Sequence, residues 1–280
     1  MTTRAYEMTG PGALSGSPRR FVHLTRTLAV TEFKLRFFDS VLGYLWTLMK
    51  PLLSFGVLFV VFSELVRIGG GARNYPVTLL SGIILFQFFQ ESTSRSVTAV
   101  ADNESLVRKI HFPRLAIPLS TVLTAGFNFG LNLIVLLGFV LVSDIHPRVS
   151  WLGLILLVAA LAALTAGVSM LLSALYVFAR DVQPIWEVAA QALFYATPIL
   201  YPIERVLEHN ETAGHVMMCN PLAAIVEQAR HWVIDPGAPS AAQAIGGAAW
   251  LAIPAALTLA ACAGGFVVFN RSAPRIAEEL

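Results

Sequence analysis

The chain has 280 residues, of which 56% are hydrophobic and 13% are charged, and its formal net charge is +2 at pH 7. The mean hydropathy of +0.69 is too high, and the charged fraction too low, for an ordinary soluble domain. So small a net charge gives no reason to expect a nucleic-acid partner. We therefore interpret the chain as an integral membrane protein that also contacts lipid.

The N-terminal region predicts two segments before the first membrane span. Residues 1–20 are rich in Gly, Pro and Ser and lack an apolar run, which indicates a disordered cytoplasmic leader without a cleavable signal. Residues 21–38 mix apolar and basic positions, which favours an amphipathic helix in the cytoplasmic membrane interface; a soluble helix packed on a partner is the alternative. The side chains assigned to this interface are Arg26, Lys34, Arg36, Tyr44 and Trp46.

Six apolar stretches are long enough, or nearly so, to cross the membrane as helices. A hydrocarbon core of about 30 Å requires roughly 20 helical residues, and the stretches do not alternate as barrel strands do. The sequence thus predicts an all-α integral membrane protein with one membrane domain over residues 21–280. Its predicted spans are residues 46–66, 75–92, 115–142, 151–178, 185–200 and 241–269.

The distribution of basic residues predicts that both termini lie in the cytoplasm. With that orientation, the outer loops hold five of the 19 Lys and Arg residues, and 14 remain inside. The one sizeable outer loop, residues 201–240, contains two short helical patterns separated by a turn at Asn220-Pro221. About 40 residues are too few for an independent core, so we expect short re-entrant helices on the outer mouth of the bundle.

The sequence carries no pattern that would support catalysis. It has no paired Cys or His at metal-ligand spacing, and none of its lysines follows a glycine as in a phosphate-binding loop. The only carboxylates in the predicted spans are the edge residues Glu64, Glu91 and Glu187, which disfavours a proton-coupled or sodium-coupled carrier. We expect a transport subunit that is not an enzyme, binds no cofactor and receives energy from a partner.

The stretch "NESLVRKIHFPRLAIP", residues 103–118, lies between two spans on the predicted cytoplasmic side. Leu106, Val107 and Ile110 would share one helical face with charged residues around it, and Pro113 would end the helix. A short helix of this kind, joined rigidly to two spans, can dock into the groove of another protein. The alternative is a solvated loop whose basic residues only fix the topology.

With its surroundings, this stretch resembles the coupling helix of the ABC-2 family of export permeases, in the branch that exports O-antigen, teichoic acid and related cell-envelope polysaccharides. The resemblance covers nearly the whole chain after residue 20. The matching segments, in the family order, are "KLRFFDSVLGYLWTLMKPLL" (34–53), "NESLVRKIHFPRLAIPLS" (103–120), "LYVFARDVQPIWEVAAQALFYATPILYP" (175–202) and "NPLAAIVEQAR" (220–230).

The resemblance implies a homodimer that binds two copies of a separate ATPase subunit, which holds ATP and magnesium. The cargo would be a lipid-linked polysaccharide, moved across the bacterial inner membrane. Arg180 and Asp181 would make a lesser contact with the ATPase; an ion pair or helix cap is the equally weighted alternative. The residues carried over as the main ATPase contact are Glu104, Leu106, Arg108, Lys109, His111 and Phe112.

A polysaccharide path requires polar groups for hydroxyls and aromatic faces for sugar rings. The candidates are Phe86, Gln87, Phe89, Gln90, Gln191, Tyr195 and Tyr201, although aromatic residues at helical spacing also serve packing. In the third span we interpret Asn128 and Asn132, with Gly126 and Gly130, as helix-packing residues.

Two other functions remain open on the sequence. One is an exporter of drugs or small amphiphiles in the same superfamily. The other is a membrane-embedded glycosyl or lipid transferase, for which Asp102 and Glu104 form the nearest carboxylate pair.

Overall fold

A computed structural model describes residues 17–37, 43–66, 74–108 and 112–279, and within these ranges every regular element is helical. The long helices are α1 (Pro18–Phe37), α2 (Gly43–Phe59, continued by a π-helical turn Val60–Leu65), α3 (Tyr75–Asp102), α5 (Ala116–Val142), α6 (Gly153–Phe178), α7 (Val182–Tyr195) and α12 (Ala252–Glu279). The short ones are α4 (Glu104–Val107), α8 (Ile203–His209), α9 (Glu211–Met218), α10 (Pro221–Ala229) and α11 (Ala241–Ala244). The predicted leader lies outside the described residues except for its last four positions.

Among the described residues, four helical stretches are long and apolar enough to cross a membrane: Leu45–Leu65, Ala116–Val142, Val149–Phe178 and Ala248–Ile276. Within the part of the chain that the structure describes, an all-helical fold with apolar helices that could span a membrane is thus confirmed. The other two predicted spans correspond to α3, which is long but carries many polar residues, and α7, whose 14 residues extend only about 21 Å. The count of six spans stays a prediction.

Helix α3 is longer than the sequence predicts. The second predicted span ends at residue 92, whereas α3 continues to Asp102, about 15 Å further. The added residues, "TSRSVTAVAD" after Ser92, contain no Pro or Gly to stop a helix, although they lower its hydropathy. Glu91 therefore lies well inside α3, and its place at the edge of a membrane span stays a prediction.

The core of the bundle forms around α3, which packs against α2, α5, α6 and α7. Its buried side includes Leu79, Leu80, Ile83 and Ile84, which join one apolar cluster with residues of α5, α6 and α10. Residues of α5, α6 and α10 cover this side of α3, and the polar residues of α3 lie on its opposite side.

Close helix contact occurs between α6 and α12 and not at the predicted glycines. A Cβ atom at Gly126 or Gly130 would meet no other atom within 4 Å, so their predicted role in close approach is wrong. At Gly167, in contrast, a Cβ atom would lie 2.6 Å from the backbone of Ala261, and a Cβ atom at Gly265 would collide with the carbonyl oxygen of Gly167. Small residues allow the backbones of these two helices to touch.

The region of the sixth predicted span contains a break. Gly246 and Gly247 have φ angles of +92° and +142°, which only glycine adopts without strain, and they separate α11 from the helix that follows. A single 3-10 turn, Ala248–Leu251, then leads into α12. The predicted range 241–269 is therefore shifted, because α12 begins at Ala252 and continues to Glu279.

Between α7 and α11 the chain forms three short α-helices and a π-helical turn (Arg230–Ile234), and α10 packs against α3, α6 and α12. The Asn220 side chain caps α10 by accepting a hydrogen bond from the Leu222 N–H at 3.0 Å. At the other end of α10, Arg230 bonds both oxygens of Glu204, at 2.8 and 2.9 Å, and Glu227 at 3.1 Å. Glu227 and Arg230 are almost fully buried, so Arg230 is an interior cation of this segment.

Candidate functional site: a polar groove along α3

One face of α3 carries a continuous polar stripe. Its members recur every three or four residues, which places them above one another on a helix. Around them the other faces of α3 are buried and mostly apolar. The stripe consists of Gln87, Gln90, Glu91, Ser94, Arg95, Thr98 and Asp102.

Three cavities follow this stripe, and we refer to them together as the α3 groove. The lower chamber, about 470 Å³, lies between α1, α3 and α5 near the C-terminal end of α3. The middle chamber, about 510 Å³, also includes the first turns of α2, and the upper chamber, about 210 Å³, lies between α2, α3 and α7. Arg36 and Arg95 line both the lower and middle chambers, and Gln87 and Gln90 line both the middle and upper ones. The chambers therefore adjoin one another.

In the middle chamber, Glu91 joins three helices. Its Oε1 accepts a hydrogen bond from Arg36 of α1 at 2.6 Å and from Asn128 of α5 at 3.1 Å. The Nε of Arg95, one turn further along α3, lies 3.3 Å from the same oxygen. About a quarter of the Glu91 side chain is exposed, so these ion pairs are less screened than pairs on an open surface. Glu91 therefore anchors α1 to the wall of the groove.

The upper chamber is lined by amides and aromatic rings. Gln87, Gln90 and Gln191 contribute amide groups, and Phe86 and Phe194 contribute rings whose centroids lie 5.1 Å apart. The Oε1 atom of Gln87 is buried without a hydrogen-bond partner among the described residues. A buried acceptor of this kind needs a donor, because its desolvation is otherwise uncompensated.

Helix α7 extends the polar lining beyond the chamber. Gln183, Glu187, Gln191 and Tyr195 are spaced by four residues and lie on one helical face. Gln183 donates to Glu187 at 3.2 Å, and Gln191 donates to the Tyr195 hydroxyl at 3.3 Å. Helix α7 thus carries a polar stripe on an outer face, although its other residues are mostly apolar.

The structure brings together four of the seven residues predicted for the substrate path: Phe86, Gln87, Gln90 and Gln191. Phe89 is buried and packs its ring 6.0 Å from Trp186. Tyr195 is about half exposed and accepts through its backbone oxygen from the half-buried Tyr201 hydroxyl, at 2.7 Å. These three lie outside the groove lining.

Sequence reasoning missed the charged part of the groove. Glu91 was placed at a span edge, Arg95 and Lys50 received no role, and Asn128 was assigned to packing only. The signal that could have found them is the three-and-four spacing of polar residues from Gln87 to Asp102, which continues past the end of the apolar run.

The predicted interface residues divide between two environments. Arg26 and Lys34 are exposed, in keeping with a place among lipid headgroups. Arg36 instead turns into the α3 groove, and Trp46, about half exposed, lines the middle chamber. Helix α1 packs along α5, with the Phe33 ring 5.4 Å from that of Phe127, so its apolar side meets protein as well as any lipid. The side chain of Tyr44 lies outside the described part of the chain.

The predicted coupling segment is only partly described, since Lys109 and His111 lie outside the described residues. Arg108 is exposed and pairs with Glu104 at 2.6 Å, and Leu106 is half-buried. Val107 is fully buried and Phe112 packs on the same apolar cluster, which includes Phe269 of α12. Val107 therefore anchors the segment to the bundle, and its predicted place on a docking face is wrong.

The second predicted contact is exposed. Arg180 lies over the Tyr176 ring, 5.0 Å from its centroid, and Asp181 precedes α7 without making a side-chain cap bond. Within the described ranges no ion pair joins Arg180 to Asp181. Neither the ion pair nor the cap considered for these residues is formed.

Long apolar helices that flank a polar groove are typical of a membrane transport protein. Its residues 23–233 match the model of the ABC-2 type transporter family, and the chain belongs to that family.

The relatives include an O-antigen export system permease protein RfbA of Klebsiella pneumoniae, 31% identical over 70% of this chain and 74% of the relative. A protein of the same name from Myxococcus xanthus is 30% identical over 71% of this chain and 76% of its own length. The polysialic acid transport protein KpsM of Escherichia coli is 23% identical over 75% of this chain and 80% of its own length.

Proposed function

We propose that this chain is the membrane-spanning subunit of an ATP-driven exporter that moves a lipid-linked cell-envelope polysaccharide. The cargo would pass from the cytoplasmic to the outer face of the bacterial inner membrane. The observation that carries the proposal is the α3 groove, a continuous polar groove along an otherwise apolar bundle. Relatives that are named for O-antigen export and polysialic acid transport support the choice of cargo.

The groove suits a sugar chain better than a small amphiphile. Sugar hydroxyls donate and accept hydrogen bonds, as do the amides of Gln87, Gln90 and Gln191. The unpaired Gln87 Oε1 supplies an acceptor, and the Trp46 and Phe86 rings supply flat apolar surfaces for sugar faces. An apolar drug would leave these amides unpaired, which costs affinity.

A homodimer would give the polar stripe on α7 a suitable environment. Glu187, Gln191 and Tyr195 would be costly against lipid, whereas a second copy facing them would enclose a hydrated conduit. Six spans would require α3, at about 42 Å, to cross the core, and α7, at about 21 Å, to cross it together with the turn residues 196–200 that follow it. Helix α10 would then be re-entrant, with both termini cytoplasmic.

The segment after α3 is built to transmit force from a partner ATPase. It is fastened to α3 by the Asn103 side chain, which donates to the Ala99 carbonyl at 2.9 Å, and to the core by Val107. Arg114, buried just beyond it, donates to the Ala273 carbonyl of α12. Movement of the exposed Arg108 region would therefore displace α3 and α12 together. ATP and magnesium would be held by the partner.

A transferase is not supported by its candidate residues. Asp102 accepts a hydrogen bond from Thr98 at 2.7 Å, and Glu104 pairs with Arg108 at 2.6 Å. Each carboxylate therefore already has a partner four residues away along the chain.

The groove can be tested by filling it. Gln90→Trp places a large ring where the middle and upper chambers meet, whereas Leu257→Trp adds the same ring on an exposed face of α12. We expect Gln90→Trp to abolish surface glycan, measured by labelling intact cells, while the control exports normally at equal membrane abundance. Normal export by Gln90→Trp would contradict a path through the groove.

The ATPase contact can be tested by charge reversal. Arg108→Glu should reduce co-purification of the ATPase subunit with the permease. Arg148→Glu, an exposed arginine in the loop before α6, is the matched control and should retain it. Equal recovery of the ATPase with both variants would argue against a contact at Arg108.

A further inference from the structure

One buried arginine joins three elements of the segment that follows α7. Arg230 begins the π-helical turn after α10, and its guanidinium donates to both oxygens of Glu204 on α8, at 2.8 and 2.9 Å. The Nη1 atom that bonds Glu204 also donates to Glu227 on α10, at 3.1 Å. Two carboxylates thus share one cation, and if both are ionised, the three side chains together carry an excess of negative charge.

The two carboxylates differ in their access to water. The side chain of Glu227 is 1% exposed and that of Arg230 is 5% exposed, whereas 35% of the Glu204 side chain is exposed. A charged group that leaves its partner must be solvated, because an unpaired charge inside a protein is strongly unfavourable. Glu204 is therefore the carboxylate that can leave Arg230, and Glu227 is the one that remains inside.

The charge of Glu227 depends on its surroundings. Burial raises the pKa of this carboxyl to about 7, against the attraction of Arg230, and the negative charges of Glu204 and Asp235 raise it further. Other titratable groups of this region lie against different partners: Glu211 is 3.9 Å from His215, the His231 ring is 2.7 Å from the Ala238 carbonyl, and the Tyr75 hydroxyl donates to the Leu200 carbonyl at 2.8 Å.

The long helices that pack against α10 bring no further charge to this cluster. Helix α6 contains no charged residue, and neither does the short helix α11. The first charged residues of α3 and α12 are Glu91 and Arg271, each about four turns or more into its helix. Glu204, Arg230 and Asp235 are thus the charges that act on Glu227.

Helices α8 and α9 make only a small apolar contact with the bundle. Among the described residues, neither helix contributes a side chain to the large cluster around α3. Elements with few buried apolar contacts open locally at a low cost in free energy. The ion pair between Glu204 and Arg230 is therefore important for holding α8 in place. The small cluster beneath α8 and α9 consists of Ile203, Met218, Ala223, Ala224, Ala241, Ala244 and Ile245.

We propose that Glu204, Glu227 and Arg230 form a proton-controlled latch on α8. While Glu227 is protonated, Glu204 is the charged partner of Arg230, and α8 is held against the end of α10. When Glu227 releases its proton to solvent, its negative charge attracts the shared Nη1 of Arg230 and repels Glu204. Glu204 then moves into water, and α8 moves with it.

Release of α8 would reach the outer end of α7. Pro202 precedes the first residue of α8, and the Tyr201 hydroxyl just before it donates to the carbonyl of Tyr195 at 2.7 Å. Tyr195 ends α7 and its polar stripe. The latch would thus make this end of the stripe more mobile as acidity falls on the side predicted to be outside. It goes beyond the proposed function, because its operation depends on no particular cargo.

The latch can be tested by hydrogen exchange of the full chain in detergent at about pH 5 and about pH 8, on either side of the pKa of Glu227. Protection factors, corrected for the intrinsic effect of pH on exchange, should be compared for residues 203–218 and for α5. We expect protection of residues 203–218 to fall at the higher pH by about tenfold, or about 1.4 kcal/mol, the order of one hydrogen bond to a charged group. Protection of α5 should change much less.

Three glutamine variants separate the roles of the carboxylates. Glu227→Gln is neutral at every pH and leaves Arg230 paired with Glu204, so residues 203–218 should stay protected at about pH 8. Glu204→Gln removes the charged partner on α8, so their protection should be low at both pH values. Glu208→Gln changes an exposed glutamate one turn further along α8 and is the matched control, which should keep the pH dependence of the native chain.

Three outcomes would overturn the latch. These are equal protection of residues 203–218 at both pH values in the native chain, a pH dependence that Glu227→Gln leaves unchanged, and a pH dependence that Glu208→Gln also abolishes. The first needs no variant, so the test stands even where a substitution prevents folding. None of the three bears on export, which is measured independently through the glycans of depleted cells, so failure of the latch is distinguishable from failure of the proposed function.

Discussion

Alanine at Gly265 should destabilise the protein, whereas alanine at the adjacent Gly264 should not. Both residues lie within α12, so both variants replace a glycine with alanine inside the same helix. A Cβ atom at Gly264 would meet nothing within 4 Å. At Gly265 it would collide with the carbonyl oxygen of Gly167 and lie 3.0 Å from the carbonyl carbon. The two variants therefore isolate the backbone contact between α6 and α12.

The size of the effect follows from the required movement. To admit the Cβ of Gly265→Ala, α6 and α12 must separate by up to about 1 Å, and a gap of that size forfeits roughly a quarter to a half of the dispersion energy between facing atoms. Overpacking of this kind costs about 1 to 3 kcal/mol. In Gly264→Ala only the higher helix propensity of alanine acts, which favours the helix by up to about 1 kcal/mol.

The two variants should be compared by thermal unfolding in one detergent, followed by intrinsic fluorescence. About 1 kcal/mol corresponds to roughly 2 to 4 °C in a protein of this size, so Gly265→Ala should melt several degrees below Gly264→Ala. A Gly265→Ala protein that melts at or above Gly264→Ala would refute the close contact between α6 and α12.

Three further changes probe other contacts. Burial raises the pKa of Glu227 from its ordinary value of 4.5 to about 7, against the attraction of Arg230. The native state therefore holds this proton more tightly than the unfolded chain, and stability should fall as the pH rises from 4.5 to about 7. Glu227→Gln should reduce the change of melting temperature with pH over this range. An unchanged slope in this variant would contradict the raised pKa of Glu227. Asn220→Ala removes the cap of α10 and should cost about 1 kcal/mol, seen as a lower melting temperature. Arg36→Gln should speed hydrogen exchange in α1, and Arg26→Gln, an exposed control, should not; equal rates would argue against anchoring by Arg36.

The sequence was sufficient to predict the apolar helices because hydropathy alone determines them. Helices α5 and α6 lie close to their predicted ranges, since nearly all of their residues are apolar. The C-terminal third of α3 was missed because its polar residues line the groove, and a hydropathy criterion counts them as loop. Its continuation depends on the packing of Ala99 and Val100 in one apolar cluster with residues of α5, α6 and α12, which is information about tertiary structure.

The residues of the candidate site were likewise only partly predictable from the sequence. Gln87, Gln90 and Gln191 could be identified because amides in apolar runs are conspicuous. Arg36 was assigned to lipid headgroups, since its partner Glu91 is 55 residues away along the chain. Likewise Gly265 and Gly167 have no feature in the sequence that distinguishes them from Gly126, because only the approach of a second helix gives a glycine this role.

The central claim is that this permease exports a lipid-linked polysaccharide, and the most direct test is mass spectrometry of polyprenyl-linked glycans in host cells depleted of the protein. We predict that a long lipid-linked polymer accumulates and that its amount at the cell surface falls. The mass of the polymer would also identify the cargo. If no such polymer accumulates while sensitivity to small amphiphiles rises, the polysaccharide assignment is contradicted, and an exporter of amphiphiles in the same family takes its place.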